Sequence, residues 1–166
     1  MEFTVVQGDI AAQQADALVN AANTGLRMGS GVAGALRRAA GERLNEAAVE
    51  KGPIDLGGAV ETPAFDLDAE YVIHAAAMPP GGQATAESIR DATRNALERA
   101  DDLGCTSVVV PAIGTGVAGF SAEDGARIVC EVVDAFDPAA LRDVRLIAYS
   151  DADYETFQRV AESIRE

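Results

Sequence analysis

The sequence predicts an α/β fold, a mostly parallel sheet with helices on both faces, and three observations lead there. Short apolar runs alternate with longer stretches of helical periodicity along the whole chain. Several of the runs are almost continuously apolar, as strands covered on both faces are. Two glycine-rich segments of one pattern, GSGVAG at 29–34 and GTGVAG at 114–119, lead into helical stretches.

Each element can be read in order. FTVV (3–6) and ALVN (17–20) read as strands, and Val32, Leu36, Ala40, Leu44 and Ala48 then form one helical stripe. GPIDLGG (52–58) and PPGG (79–82) are connecting loops around the strands AVET (59–62) and YVIHAAA (71–77). A second stripe runs through Ile89, Ala92, Ala96, Leu97, Ala100 and Leu103, followed by the strand SVVVPAI (107–113). A third runs through Ile128, Val129, Val132, Val133 and Phe136, with Ser121 placed to cap its start and Pro138 just beyond its end. RLIAYS (145–150) is the last strand, and Tyr154, Phe157, Val160 and Ile164 mark the last helix. At 166 residues the chain is read as one domain, 1–166.

Composition excludes several classes. No apolar run is long enough to span a membrane. The N-terminus opens on a strand-like run without a basic stretch before an apolar one, so a cytoplasmic protein is expected. Cys105 and Cys130 lie in apolar surroundings; a disulfide is conceivable, but two buried reduced thiols are the expectation. No cluster of His, Cys and carboxylate has ligand spacing, so neither a metal site nor a resident cofactor is expected. The net charge is −14, with Lys51 the one lysine beside twelve arginines, a balance typical of halophilic, acidic proteomes. Such a surface argues against nucleic-acid binding. It does not exclude a small anion, which backbone amides can hold.

Both glycine segments match the GxGxxG fingerprint of dinucleotide-binding folds, and both fail its context. After ALVN a loop, AANTGLRM, intervenes before Gly29, and the nearest later acid, Asp55, lies in a glycine-rich loop. The acid after the second segment, Asp151, is over thirty residues beyond Gly119, past the last strand. The physics of the loops survives that rejection. Glycine lets the backbone approach a ligand, and successive N–H groups ahead of a helix form a positive concavity. One such loop could simply allow close packing; two favour a diphosphate held from both sides.

Taken together, QGDI (7–10), DALVNAAN (16–23), GSGVAGAL (29–36) and PAIGTGVAGF (111–120) resemble the macrodomain family, whose members bind ADP-ribose. The resemblance extends through YVIHAAA and RLIAYSDAD, over essentially the whole chain. It implies a three-layer α/β/α sandwich around a mixed, mostly parallel six-stranded sheet. It places Asp9 at the adenine amino group with the Ile10 backbone beside it, although Asp9 can also cap a helix before Ile10. Asn20 and Asn23 fall at the distal ribose and become the catalytic candidates, although NAAN could equally be turn-forming asparagines. Gly31 and Val32 present amides to one side of the diphosphate, and Thr115, Gly116, Val117 and Gly119 to the other. Tyr149 packs on adenine, or else fills core, with Ser150 and Asp151 at the rim.

Three departures bear on activity. Ala33 stands where some macrodomain hydrolases carry Asp. Ala118 replaces a Tyr or Phe that covers the distal ribose, a role open to Phe120. Ser30 replaces the middle glycine of a triplet and would be strained there at φ > 0. His74, the one histidine, lies inside a strand run and reads as structural. The implied function is binding of ADP-ribose, or of an ADP-ribosylated protein. A positioned water would then hydrolyse ADP-ribose esters, with O-acetyl-ADP-ribose deacetylation as a related reaction. The alternatives are a non-catalytic ADP-ribose reader and an unrelated nucleotide-binding scaffold.

Overall fold

The computed structural model describes residues 1–114 and 120–166. Six strands form one sheet: β1 (Thr4–Gln7), β2 (Ala17–Asn23), β3 (Ala59–Pro63), β4 (Tyr71–Met78), β5 (Ser107–Pro111) and β6 (Asp143–Ala148). Their order is β1-β6-β5-β2-β4-β3; every neighbouring pair is parallel except β3–β4 at the edge. The mixed, mostly parallel six-stranded sheet is as expected.

Five helices cover it: α1 (Gly31–Ala40), α2 (Glu42–Lys51), α3 (Ala86–Asp102), α4 (Ala122–Ala135) and α5 (Asp151–Arg165). Helices α3, α4 and α5 bury Ile89, Leu97, Val129, Val133, Phe157 and Val160 against the Val19, Val108 and Leu146 face. Helices α1 and α2 bury Leu36, Leu44 and Ala48 against Leu18, Val72, Val109 and Ile147. Alternate residues of β2 thus enter opposite cores, which is why its sequence is apolar at every position up to Asn20. At about 1.5–3 kcal/mol per fully buried large aliphatic side chain, the two cores dominate the stability of the sandwich.

Several boundaries move. The stripe from Val32 to Ala48 is two helices, broken at Gly41, whose φ of 94° no helix accommodates. Strand β2 runs on to Asn23 instead of ending near Asn20. A single 3₁₀ turn, Ile10–Ala12, follows β1. The expected cap of α4 is present, with Ser121 accepting from the Asp124 amide at 3.1 Å. Cys105 and Cys130 are both buried and free, and burial pushes their thiols up to about 11 and about 12. Among the described residues no helix is long and apolar enough to cross a membrane.

The edge strand β3 is tied to α3 by a forked ion pair, Arg99 Nε and Nη2 to the two Glu61 carboxylate oxygens at 2.8 Å each. The Arg99 hydrogen bonds hold the Glu61 carboxyl down to about 2, against partial burial. Because that value lies below the ordinary 4.5, the pair stabilises the fold above pH 4.5, and its contribution is lost as pH falls towards 2. Arg99→Met should therefore cost on the order of 1 kcal/mol at neutral pH, after solvent screening. Urea unfolding at pH 7 and pH 3 tests this: the difference from the unsubstituted protein should shrink at the lower pH, and an undiminished gap would deny the linkage.

Candidate functional site

A cleft of about 960 Å³ opens at the carboxyl ends of β2, β4 and β5, beside the start of α1. In a parallel sheet that edge is where neighbouring connections diverge and ligands are received. Asn23, Arg27, Gly31, Val32, Ala33 and Gly114 are among its lining residues, and among the described residues Arg27 is the only ionisable one there.

The start of α1 is built to be open. Its first helical hydrogen bond is Gly34 N–H to the Ser30 carbonyl at 3.3 Å, so the amides of Gly31, Val32 and Ala33 precede the helical ladder. The Ser30 side chain makes no capping bond, whereas Thr85, Ser121 and Ser150 cap α3, α4 and α5. Gly31 has φ +64°, and a Cβ there would meet nothing within 4 Å, so its glycine serves backbone conformation. Gly34 serves proximity, because a Cβ would come within 2.7 Å of the Gly29 carbonyl. Ser30 has φ −114° and ψ −178°, ordinary extended backbone; the expected strain is absent because the positive φ falls on Gly31.

Asn23 is aimed by an irregularity in the sheet. Ala22 pairs with Ala76, but Asn23 pairs with Met78, so Ala77 of β4 is skipped. Such a bulge re-aims side chains and leaves backbone groups without ladder partners. The Ala77 carbonyl is satisfied from outside, by the buried Ser88 hydroxyl at 2.6 Å. Ser88 also closes the capping box of α3 by accepting from the Thr85 amide at 2.9 Å. The Asn23 amide nitrogen reaches the Arg27 carbonyl at 3.5 Å, while its Oδ1 is buried without a partner among the described residues. Asn20 Oδ1 is likewise buried without a partner among the described residues, but of the two only Asn23 lines the cleft, where a donor from a ligand has access to it.

Comparison with known proteins decides the family. The Macro domain model matches residues 19–129. The chain belongs to the macro domain family. A mutant of the Oceanobacillus iheyensis macrodomain with ADPR superposes with a TM-score of 0.88 at 28% identity, covering 97% of this chain and 92% of that one. The Trypanosoma brucei macrodomain in complex with ADP-ribose gives 0.82 at 28% identity, over 93% and 67%. An uncharacterized protein of Mycobacterium bovis is 45% identical over 157 residues, 95% of this chain but 44% of its own length. The chain thus spans less than half of that mycobacterial relative. A macro domain-containing protein of Streptomyces coelicolor is 40% identical over 165 residues, 93% of this chain and 95% of its own.

The positions singled out in this macro domain by sequence fall in four places. Asn23, Gly31 and Val32 line the cleft. Asp9, Ile10, Tyr149 and Asp151 lie further along the same sheet edge, past β1 and β6, and outside the lining. Asp9 is exposed and caps the 3₁₀ turn, its Oδ1 accepting from Ala11 N at 2.9 Å; Ile10 is buried. Tyr149 is 80% exposed, which removes core filling as its role. Gln7 braces that corner, its Nε2 donating to Asp151 Oδ1 at 2.6 Å and towards the Tyr149 carbonyl at 3.4 Å. Phe120 is half-buried against the larger core. Thr115, Gly116, Val117, Ala118 and Gly119 lie outside the described residues.

Asn20 is in the fourth place, and its assignment is corrected. It is 1% exposed inside the sheet, outside the cleft lining, with Nδ2 at 3.1 Å from His74 Nδ1. His74 Nε2 in turn lies 3.0 Å from the Thr62 hydroxyl. Asn20 is therefore a structural neighbour of His74 and does not reach the cleft. Burial holds the His74 ring down to about 4, so it is neutral at pH 7 and structural, as read from sequence.

Sequence reasoning missed Arg27, Ser88 and the bulge. Arg27 had one visible signal, being the first basic residue of an acidic chain. Ser88 had none, because its role depends on a register shift. Ser88→Ala should destabilise the macro domain by about 2 kcal/mol, since it strips a buried carbonyl and a helix cap of their partner. An unchanged urea midpoint would show that neither bond contributes.

Proposed function

We propose that this macro domain binds ADP-ribose in the cleft and hydrolyses its esters with a positioned water. The observation that carries the reading is the junction of an uncapped helix N-terminus with Asn23, whose buried Oδ1 lacks a donor among the described residues. The amides and dipole at the start of α1 suit a diphosphate, and a ribose hydroxyl is the donor that Asn23 Oδ1 requires. The base then extends along the sheet edge towards Asp9 and the exposed Tyr149, with Asp9 accepting from the adenine amino group. Solved relatives described with ADPR, ADP and ADP-ribose support the same ligand.

The described lining carries no general base, and the reaction does not demand one. Water attacks the anomeric carbon of an ADP-ribosyl ester of Asp or Glu. As the new C–O bond forms, the bond to the ester oxygen breaks and a carboxylate leaves. The attacking water passes its proton to solvent. A carboxylate with an ordinary pKa near 4 departs without protonation, so an acid catalyst is dispensable. What the protein supplies is position and oriented dipoles, worth several kcal/mol of barrier. O-acetyl-ADP-ribose offers a second ester to the same cleft. Ala33, buried among the lining, adds no carboxylate to help, and this favours the reader as the second reading.

Three experiments test this reading. Incubation with an auto-modified ADP-ribosyltransferase should release ADP-ribose; retention of label together with tight ADP-ribose binding would make the protein a reader. Asp9→Asn keeps the acceptor for Ala11 but loses the charged partner of the base. It should weaken ADP-ribose binding by about 1 kcal/mol in calorimetry, and unchanged affinity would remove Asp9 from the site. Asn23→Ala should lower turnover more than affinity; equal losses would confine Asn23 to holding ligand.

A further inference from the structure

We infer that the outer face of α3 and α4 is a self-association surface, on which a second copy of this chain docks about a two-fold axis. A groove of about 460 Å³ runs between these helices, on the face of the sheet opposite α1 and α2, and it shares no residue with the cleft lining. Its floor is apolar: Val132 and Phe136 are half-buried on the larger core, and Ala135 beside them is exposed. Its rim is charged, with Arg90, Arg94 and Glu98 on α3 and Glu131 and Asp137 on the side of α4.

The signs are sorted along the groove. Helices α3 and α4 each connect parallel strands and so run back along the sheet in one direction. Arg90 and Arg94 stand in the first half of α3, and Glu98 lies one turn further on. Glu131 stands in the last part of α4, and Asp137 two residues past its end. One end of the groove is therefore basic and the other acidic. A two-fold axis across the groove turns a second copy end for end and lays each basic end on the other copy's acidic end. Such a patch is complementary to itself, as an isologous contact requires. A partner of a single sign would meet repulsion at one end; a second copy meets none. The charges are also available. Arg90, Glu98, Glu131 and Asp137 enter no ion pair among the described residues, and Arg94 holds only Asp91, in an exposed pair.

The area sets the strength. Helix α3, with 17 residues, is about 25 Å long, and two helices side by side offer a face of roughly 500 Å². That is below the roughly 800 Å² a side of a standard interface, so the dimer is weak, with a Kd on the order of tens of micromolar. The same two-fold points the carboxyl edges of the two sheets in opposite directions and leaves both clefts open.

Sedimentation velocity tests this up to about 0.5 mM protein in about 0.5 M salt, where a Debye length of about 4 Å screens the net charge of −14 but not contact pairs. The unsubstituted protein should dimerise with rising concentration. The variant Arg90→Glu, Arg94→Glu and the variant Glu131→Arg, Asp137→Arg should each weaken self-association about tenfold or more, on the scale of two lost contact pairs at each end. An equimolar mixture of the two variants should recover the dimer, because one chain then offers only acids and the other mainly arginines. A protein that stays monomeric at the highest concentration would overturn the proposal. So would variants that dimerise unchanged, which would put the contact on another face, or a mixture that stays monomeric.

Discussion

The candidate site depends on backbone packed directly on backbone. The loop from Thr24 to Ser30 joins β2 to α1, and it is held on two sides without room for a side chain. On one, a Cβ at Gly34 would approach the Gly29 carbonyl to 2.7 Å; on the other, a Cβ at Gly52 would approach the Gly25 carbonyl to 2.8 Å. The Ile54 amide bonds the Thr24 carbonyl at 2.9 Å, and Asn45 accepts from the Met28 amide at 2.8 Å. Contacts of this kind leave little freedom to the segment, because interiors are close-packed and backbone cannot change rotamer. Leu26 takes φ +60° within this loop, strain that persists only where surroundings over-determine it. The result is a stiff arch that fixes where Arg27 points and where the first amides of α1 open.

That arrangement resolves an electrostatic contradiction. A chain of net charge −14 repels phosphates at long range, and the described cleft lining opposes this with one side-chain cation. Long-range repulsion is screened within about a Debye length, roughly 10 Å at 0.1 M salt. Helix-terminal amides act within hydrogen-bond distance and have no counter-charge to lose. An anion site made of backbone thus tolerates an acidic surface that a lysine or arginine cluster would neutralise by pairing. The four other pairs besides Arg99–Glu61, each an arginine with Asp or Glu, show where such side chains go among the described residues.

The fold was readable in the sequence wherever periodicity carried the information. Six apolar runs became six strands; that the sheet is mixed was implied by resemblance alone, and no run of the sequence marked β3 as its antiparallel edge. The break at Gly41 escaped because Ala40, Leu44 and Ala48 continue one stripe through it: two short helices at an angle can bury the same face as one long one. In the cleft, Asn23, Gly31 and Val32 were legible because their motifs lie in contiguous sequence. Asn20 was misplaced by the same logic, since NAAN puts both asparagines in one motif while β2 turns alternate side chains to opposite faces. Tyr149 was ambiguous, as a tyrosine ending a strand can point either way. Ser88, Gly52 and Asn45 act across tertiary contacts that no local pattern announces.

The Asn20–His74–Thr62 chain has a consequence for register. Strands β2 and β4 are apolar on both faces, so sliding one past the other by a residue would exchange one set of small aliphatic side chains for another at modest cost. In sheets with one wet face the hydrophobic pattern forbids that slip; here it does not. Polar groups do. Asn20 and His74 are directly paired across β2 and β4, and Thr62 reaches the far side of the ring from β3. A slip would leave buried polar atoms unpaired, at about 1–3 kcal/mol each. The register matters because the skipped Ala77, and with it the direction of Asn23, is counted from that pairing. A histidine buried outside the cleft lining is thus connected to the site through alignment: it locks Asn20, and the asparagine that lines the cleft stands three residues further along the same strand.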